Sequence, residues 1–233
     1  MPDTLSLLRS CADADPEGYV HLQTIPYRGH HLLAEAVLAV APPGGRVFEG
    51  GVSSGYFAEV LVAAGLRVDG HELDPQAALR ARKVCDRVFV GDLQTFDPGE
   101  LEHDYDVLLF GDTLEHIADP APVLRRLATR LKPGGHLVVS IPNVANWSIR
   151  LSLLSGRFRY TDRGILDRTH LRFYTRKTMV EMIESAGFTK VTSTGAIPVP
   201  GVTSAKAGRV AHRLGNLAPG LFAYTMVVTA RKD

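Results

Sequence analysis

The chain has 233 residues, with 26 lysines and arginines against 25 aspartates and glutamates and 45% hydrophobic residues. That balance fits one domain with a sizeable core and excludes a disordered chain or a polyelectrolyte that coats nucleic acid. Its two cysteines, Cys11 and Cys85, lie far apart, the N-terminal stretch carries four acids, and no run approaches the roughly 20 apolar residues of a membrane span, so a disulfide scaffold, a zinc knuckle, a signal peptide and a membrane protein are not expected and a cytoplasmic protein is.

Residues 1–28 read as an N-terminal extension and 29–233 as the domain. The spacing of apolar residues predicts a helix over Gly29–Val40, closed by Ala41-Pro42-Pro43-Gly44-Gly45. Strands are then expected at Arg46–Glu49, Arg67–Glu72, Arg87–Val90, Asp106–Phe110 and His136–Ile141. Between them, helical periodicity marks Tyr56–Ala64, Pro75–Val84 and Pro120–Leu131. Lys132-Pro133-Gly134-Gly135 reads as the turn into the fifth strand. Strand and helix in alternation predict an α/β fold, a doubly wound parallel sheet covered on both faces.

The segment 143–174 breaks this rhythm. It carries Arg150, Arg157, Arg159, Arg163, Arg168 and Arg172 against Asp162 and Asp167, and reads as a basic cap inserted over the ligand crevice. A solvated helix and loop is the plainer reading. Beyond it come a helix over Arg176–Ala186 and strands at Val191–Ile197 and Leu221–Thr229, the last of them antiparallel. Residues 201–220 form a candidate lid.

The most informative stretch is Phe48-Glu49-Gly50-Gly51-Val52-Ser53-Ser54-Gly55-Tyr56-Phe57, where a strand passes through a glycine-rich turn into a helix. Such glycines allow positive φ and a close approach of backbone to ligand. In an open parallel sheet the ligand sits beyond the carboxyl ends of the strands. Residues 50–55 do not supply the G-x-G-x-x-G of a dinucleotide site. Glu49 instead puts a carboxylate at the strand end, which repels a pyrophosphate and attracts an ammonium group. Glu72 ends the second strand, where a carboxylate accepts hydrogen bonds from both ribose hydroxyls. Gly91-Asp92-Leu93 ends the third, with Asp92 placed for an adenine amine and Leu93 for the ring face. Ammonium, ribose and adenine in strand order describe S-adenosylmethionine.

On these residues the chain resembles a class I S-adenosylmethionine-dependent methyltransferase from about Gly29 onward. Gly111-Asp112-Thr113-Leu114-Glu115-His116 and Leu131-Lys132-Pro133-Gly134-Gly135 extend the likeness. Ser140-Ile141-Pro142-Asn143 and Asp167–Phe173 resemble a bacterial subgroup acting on small molecules in polysaccharide or natural-product pathways. The resemblance implies a seven-stranded sheet with an antiparallel last strand. It also implies a cofactor site drawn from Glu49, Gly50, Gly51, Ser53, Gly55, Tyr56, Glu72, Leu73, Gly91, Asp92, Leu93 and Gly111. Ser53 stands where the family's central glycine is usual, and Glu49 where aspartate is commoner.

The cofactor is already activated, so the protein's main task is to place the acceptor in line. A hydroxyl acceptor also needs a base, and Asp112, His116 and His170 are the candidates. Each histidine has an alternative structural role. Glu115 is assigned to helix geometry. Asn143 and Trp147 are expected to line the acceptor pocket, with Trp147 alternatively anchoring the cap. Arg168 and Arg172 are expected to grip an anionic group on the acceptor, or else to pair with Asp162 and Asp167. No metal is expected, since the His30-His31 pair lacks ligand spacing. Neither a nucleic-acid nor a membrane partner is expected, and a homo-oligomer is left open.

O- or N-methylation of a small molecule is thus the leading expectation. C-methylation and a non-catalytic cofactor-binding protein are its alternatives. A serine hydrolase using Ser53 in Gly51-Val52-Ser53-Ser54-Gly55 is remote, because too few residues precede the first strand to build that fold.

Overall fold

In the structure, a computed structural model, residues 3–12, 22–101, 104–199 and 204–233 are described. Seven strands form one sheet in the order β3-β2-β1-β4-β5-β7-β6. They are β1 (Arg46–Gly50), β2 (Arg67–Glu72), β3 (Arg87–Val90), β4 (Tyr105–Gly111), β5 (Leu131–Pro142), β6 (Thr189–Ala196) and β7 (Thr225–Arg231). β1 pairs in parallel with both β2 and β4, so strand order reverses between β1 and β4. β7 runs antiparallel to β5 and to β6. The expected doubly wound sheet with an antiparallel last strand is what is found.

Period-two side-chain alternation divides the core between the two faces. Phe48, Leu108, Phe110, Leu137 and Val139 pack on one side, with Val123, Leu124 and Leu127 of α5 (Pro120–Leu127) and Met179 and Ile183 of α7 (Arg176–Ser185). Val47, Val107, Leu109 and Val138 pack on the other, under α2 (Gly29–Val40) and α3 (Tyr56–Ala63). α1 (Thr4–Ser10) adds Leu7 and Leu8 to that second layer, so part of the N-terminal extension packs on the domain. The remaining helices are α4 (Pro75–Ala81), α6 (Trp147–Leu154) inside the 143–174 segment, α8 (Ala205–Gly215) and α9 (Pro219–Phe222).

Two elements differ from expectation. Along the β4–β5 ladder Tyr105 pairs with Leu131 and Val107 with His136, so Lys132-Pro133-Gly134-Gly135 bulges out within β5 rather than preceding it. The expected strand from Leu221 begins instead at Thr225, because Pro219 opens the short helix α9. Of the candidate lid, α8 lies on β6 and α9, while residues 201–203 fall outside the described residues.

Both crossovers at the reversal end in strained turns. Ser53, after β1, has φ 52°, and Asp112, after β4, has φ 47°. A left-handed residue other than glycine costs about 1–3 kcal/mol and persists only where its surroundings hold it. Ser53→Gly is therefore expected to raise stability by about 1 kcal/mol, read as a higher midpoint in urea or thermal unfolding.

Candidate functional site

The glycine turn is held from three sides. Gly51 and Val52 donate their N–H groups to the His71 carbonyl at 2.8 and 3.0 Å, fixing the turn to β2. Gly51 has φ +78°, and a Cβ there would lie 2.6 Å from Thr113 Oγ1. Thr113 Oγ1 itself donates to the Gly50 carbonyl at 3.0 Å, so the turns after β1 and β4 lie against each other. Gly55, at φ +88°, backs onto Ala81 Cα and opens α3 at Tyr56. Glycine is required at both positions by backbone conformation and by contact.

Glu72 is the hub of this corner. Its Oε2 accepts the Ser53 N–H at 2.7 Å, and its Oε1 accepts those of Leu73 and Asp74 at 2.8 and 3.0 Å. Beside it, Leu73 is an exposed apolar side chain. Asp92 is exposed and accepts the Gln94 N–H at 2.8 Å and, more weakly, the Gln94 side-chain amide at 3.3 and 3.4 Å, and nothing lies within 4 Å of where a Gly91 Cβ would be. Leu93 turns inward instead: it joins the core cluster around Phe48 and Phe110, against the backbone of Gly50.

Glu49, at the end of β1, is 4% exposed, and its Oε2 has no hydrogen-bond partner among the described residues. Burial, reinforced by the nearby charge of Glu72, pushes its carboxyl up to about 8. An orphaned acceptor at a strand end, beside an open glycine corner and a carboxylate on the neighbouring strand, fits a ligand that carries both an ammonium group and a ribose diol.

On the far side of Thr113 lies a cavity of ≈ 1090 Å³. Its walls come from the β4 end, the 143–174 segment, the start of α2 and residues 222–225. The expected residues Asp112, His116, Trp147, Arg168 and His170 line it. Asp112 is tightly held: the Ser140 hydroxyl accepts its N–H and donates to its Oδ1, each at 3.0 Å. Its side chain is exposed on the cavity wall, and desolvation is the leading cause that raises its carboxyl, against the Ser140 bond and the nearby His116.

Glu115 does more than shape a helix. Its carbonyl accepts the N–H groups of Leu171 and Arg172, at 2.9 and 3.0 Å, and so pins the arginine-rich segment to the β4 turn. Its carboxylate is 1% exposed, and neither oxygen has a hydrogen-bond partner among the described residues. Desolvation, with Asp112 and Asp167 nearby, raises it well above the ordinary carboxylate range. The rings of His116 and His170 meet edge to face at 4.8 Å. Burial is the first cause that lowers the His170 pKa, against its bond to the Ile165 carbonyl.

Asn143 and Arg172 do not line the cavity. Asn143 is fully buried and its amide donates to the carbonyls of Ala223 and Gly220, while Arg172 donates to the Ala118 carbonyl at 2.7 Å. Arg168 reaches the cavity but pairs with Asp162 at 2.6 Å. Gln23, Arg28, Asn146 and Tyr224 also line it and were not anticipated, and they are joined by His30 and by Arg163 of the basic cap. The Asn146 amide at the start of α6, four residues past the end of β5, carried a cap signal that could have been read: its Oδ1 accepts the Ser148 N–H at 3.0 Å.

With the geometry set out, comparison with known proteins adds the following. A family model described as a methyltransferase domain matches residues 2–193. The ubiquinone biosynthesis O-methyltransferase of Xanthomonas campestris pv. campestris is 31% identical over 128 residues, which is 51% of this chain and 52% of that protein. The same-named protein of Bordetella bronchiseptica is 37% identical over 109 residues, 43% of this chain and 44% of the other. The match thus spans about half the length of these relatives. Among solved structures, an S-adenosylmethionine-dependent methyltransferase from Thermotoga maritima superposes with a TM-score of 0.63 at 20% identity, covering 90% of each chain. One from Archaeoglobus fulgidus gives 0.61 at 17% identity, over 87% of this chain and 94% of the other. These last likenesses carry the fold.

The state of Glu49 gives a pH prediction. Below about pH 8 the free protein holds this carboxyl neutral, whereas an ammonium-bearing ligand favours its ionised form. Affinity for S-adenosylmethionine is expected to rise from pH 6 to 8 and then level, with proton release seen as a buffer-dependent heat of binding. The native state keeps a proton that the unfolded chain has lost, so this group makes stability fall as pH rises from about 4.5 toward 8. Glu49→Gln is expected to flatten both profiles while weakening the ligand.

Proposed function

This chain belongs to the methyltransferase domain family and takes S-adenosylmethionine as its cofactor, and we propose that it methylates a hydroxyl on a small, flat acceptor held in the cavity. The observation that carries the proposal is the convergence of Asp112, Glu115, His116 and His170 on the cavity wall, directly behind the turn that touches Gly51.

The cofactor, when bound, supplies a methyl group on a positively charged sulfur. Glu49, Glu72, Leu73 and Asp92, with the glycine turn, are the residues we assign to holding it. Thr113 sets the spacing between that turn and the cavity, because it contacts Gly50 and Gly51 on one side and leads into the Leu114–His116 turn on the other. Trp147, Phe222 and Tyr224 present ring surface to the acceptor, and Trp147 is half exposed for that purpose. His116 and His170, whose rings meet edge to face, stand on the wall where an acceptor hydroxyl has to lose its proton.

The excess of arginines in the cap does not make an anionic acceptor necessary. Arg28, Arg163 and Arg168 face the cavity together with Asp112, Glu115, Asp162 and Asp167, so its walls are not basic on balance. The O-methyltransferase names of the relatives in Xanthomonas and Bordetella support a hydroxyl over an amine.

The test is transfer of labelled methyl from S-adenosylmethionine to a panel of phenols, catechols, amines and carbon acids. Label on oxygen is expected. His116→Ala and His170→Ala are each expected to lower kcat about 100-fold or more while cofactor affinity stays unchanged. Label on nitrogen or carbon would replace the hydroxyl reading. Tight cofactor binding with no transfer to any acceptor would make the chain a binding protein.

A further inference from the structure

Where the β4 turn meets the arginine-rich segment, a carboxylate and two imidazoles converge. Glu115, His116 and His170 each bring one ligating atom to within 4.8 Å of the others. We propose that these three side chains hold a divalent cation of the zinc class at the wall of the acceptor cavity, with a coordination position open to the acceptor. Its use in catalysis rests on the hydroxyl-methylation reading above.

The hydrogen bonds around the histidines fix which nitrogens are free. His170 Nδ1 lies 3.1 Å from the Ile165 carbonyl, which can only accept, so Nδ1 carries the proton and Nε2 a bare lone pair. His116 Nδ1 lies 3.2 Å from the Thr169 carbonyl, with the same result. The Thr169 hydroxyl is also near that nitrogen, but it donates to Asp167 Oδ1 at 2.7 Å and so acts as a second acceptor. A ring that donates one N–H to a backbone carbonyl and leaves the other nitrogen bare is the arrangement in which proteins present histidine to a metal.

The Glu115 carboxylate completes the set. It is buried, and both of its oxygens lack partners among the described residues. Its Oε1 faces His170 Nε2 across 3.9 Å. Two acceptors face each other there, at a distance too long for one hydrogen bond. A zinc ion bound at about 2.1 Å to each of two ligands in a tetrahedron separates them by about 3.4 Å, so closing the site from 3.9 Å at this pair and at most 4.8 Å at the others takes shifts of roughly 1.5 Å or less. Two histidines and one glutamate, with a fourth position left open, make up a known kind of catalytic zinc centre. Asp112, held by Ser140 on the same wall, adds negative charge beside it.

The chemistry follows from the open position. An acceptor hydroxyl that takes it loses its proton to water more readily, as metal-bound water does near pH 7. The oxygen then attacks the methyl carbon. The new C–O bond forms as the C–S bond breaks, with that bonding pair returning to sulfur.

The experiment uses the full chain, stripped with chelator and dialysed, then titrated with Zn²⁺ against a chromogenic competitor and with Co²⁺ by visible absorption. One equivalent is expected, at micromolar dissociation constant or tighter, with the absorption of tetrahedral or five-coordinate cobalt. Glu115→Gln and His170→Ala should each weaken binding about 100-fold, with unchanged S-adenosylmethionine affinity as the check on folding. His212→Ala, away from this cavity, should bind as the parent does. Absence of stoichiometric metal in the parent, or undiminished binding in both Glu115→Gln and His170→Ala, would overturn the site. Metal binding with no methyl transfer to any hydroxyl would leave the site standing and overturn the hydroxyl reading instead.

Discussion

The geometry of this site depends first on one carboxylate. Glu72 gathers three backbone N–H groups, one from the turn after β1 and two from its own turn after β2. Each bond to a charged acceptor is stronger than a neutral one, and three together leave the two turns little freedom. With Ser53 tied down in a left-handed conformation, Gly51 is pressed against Thr113, and the β4 turn takes its position from that contact. The glycine corner and the cavity, the proposed cofactor and acceptor sites, are therefore two sides of one packed unit. That is what in-line transfer requires, because a displacement of about 1 Å between the reacting groups can cost two orders of magnitude in rate.

A second theme is unspent negative charge. Glu49, Asp112 and Glu115 stand at the carboxyl ends of β1 and β4, and desolvation is the leading cause that raises each of their pKa values. Glu49 and Glu115 are buried while Asp112 faces the cavity, and a cation beside any of the three would favour its ionised form. On the proposed reading the row follows the path of the reaction, from the cofactor's ammonium group at Glu49 to the wall of the acceptor cavity at Glu115. A structural role explains such a row poorly, since apolar residues of like volume would stabilise the fold more.

Much of the frame was legible in the chain. Helix α2 and strands β2 and β3 follow the apolar periodicity residue for residue, because each buries one face against a single neighbour layer. The β5 bulge was not legible, since Lys132–Gly135 has turn chemistry whether it precedes a strand or interrupts one. In the site, the strand-end acids and the glycine turn could be read because parallel sheets place ligands there. The pairing of Glu115 with His170 could not. It depends on Leu171 and Arg172 bonding back to the Glu115 carbonyl, a contact across more than fifty residues with no periodic trace. The arginines allowed two readings in the sequence, because their sum describes the segment and not the local partners: Arg168 pairs with Asp162, and Arg172 is turned to the Ala118 carbonyl.

The cap itself is a wall more than a flap. At its start, the amides of Asn143 and Asn146 grip the carbonyls of residues 220–223, and at its end Val144 and Tyr174 bond to each other at 2.9 Å. In between, Glu115 and Ala118 hold Leu171 and Arg172. The exposed remainder is α6 and the loop beyond it, where Leu151, Leu153 and Leu154 face outward. A cap anchored at both ends and at a point next to the reactive histidines separates two tasks. On the proposed reading the β4 turn and the backbone that clamps it carry the chemistry, whereas Trp147, Arg163, Phe222 and Tyr224 border the acceptor's space. Acceptor preference can then change through those four side chains without moving Glu72, Thr113 or His170. This is how one sheet can serve different acceptors while keeping a single reaction.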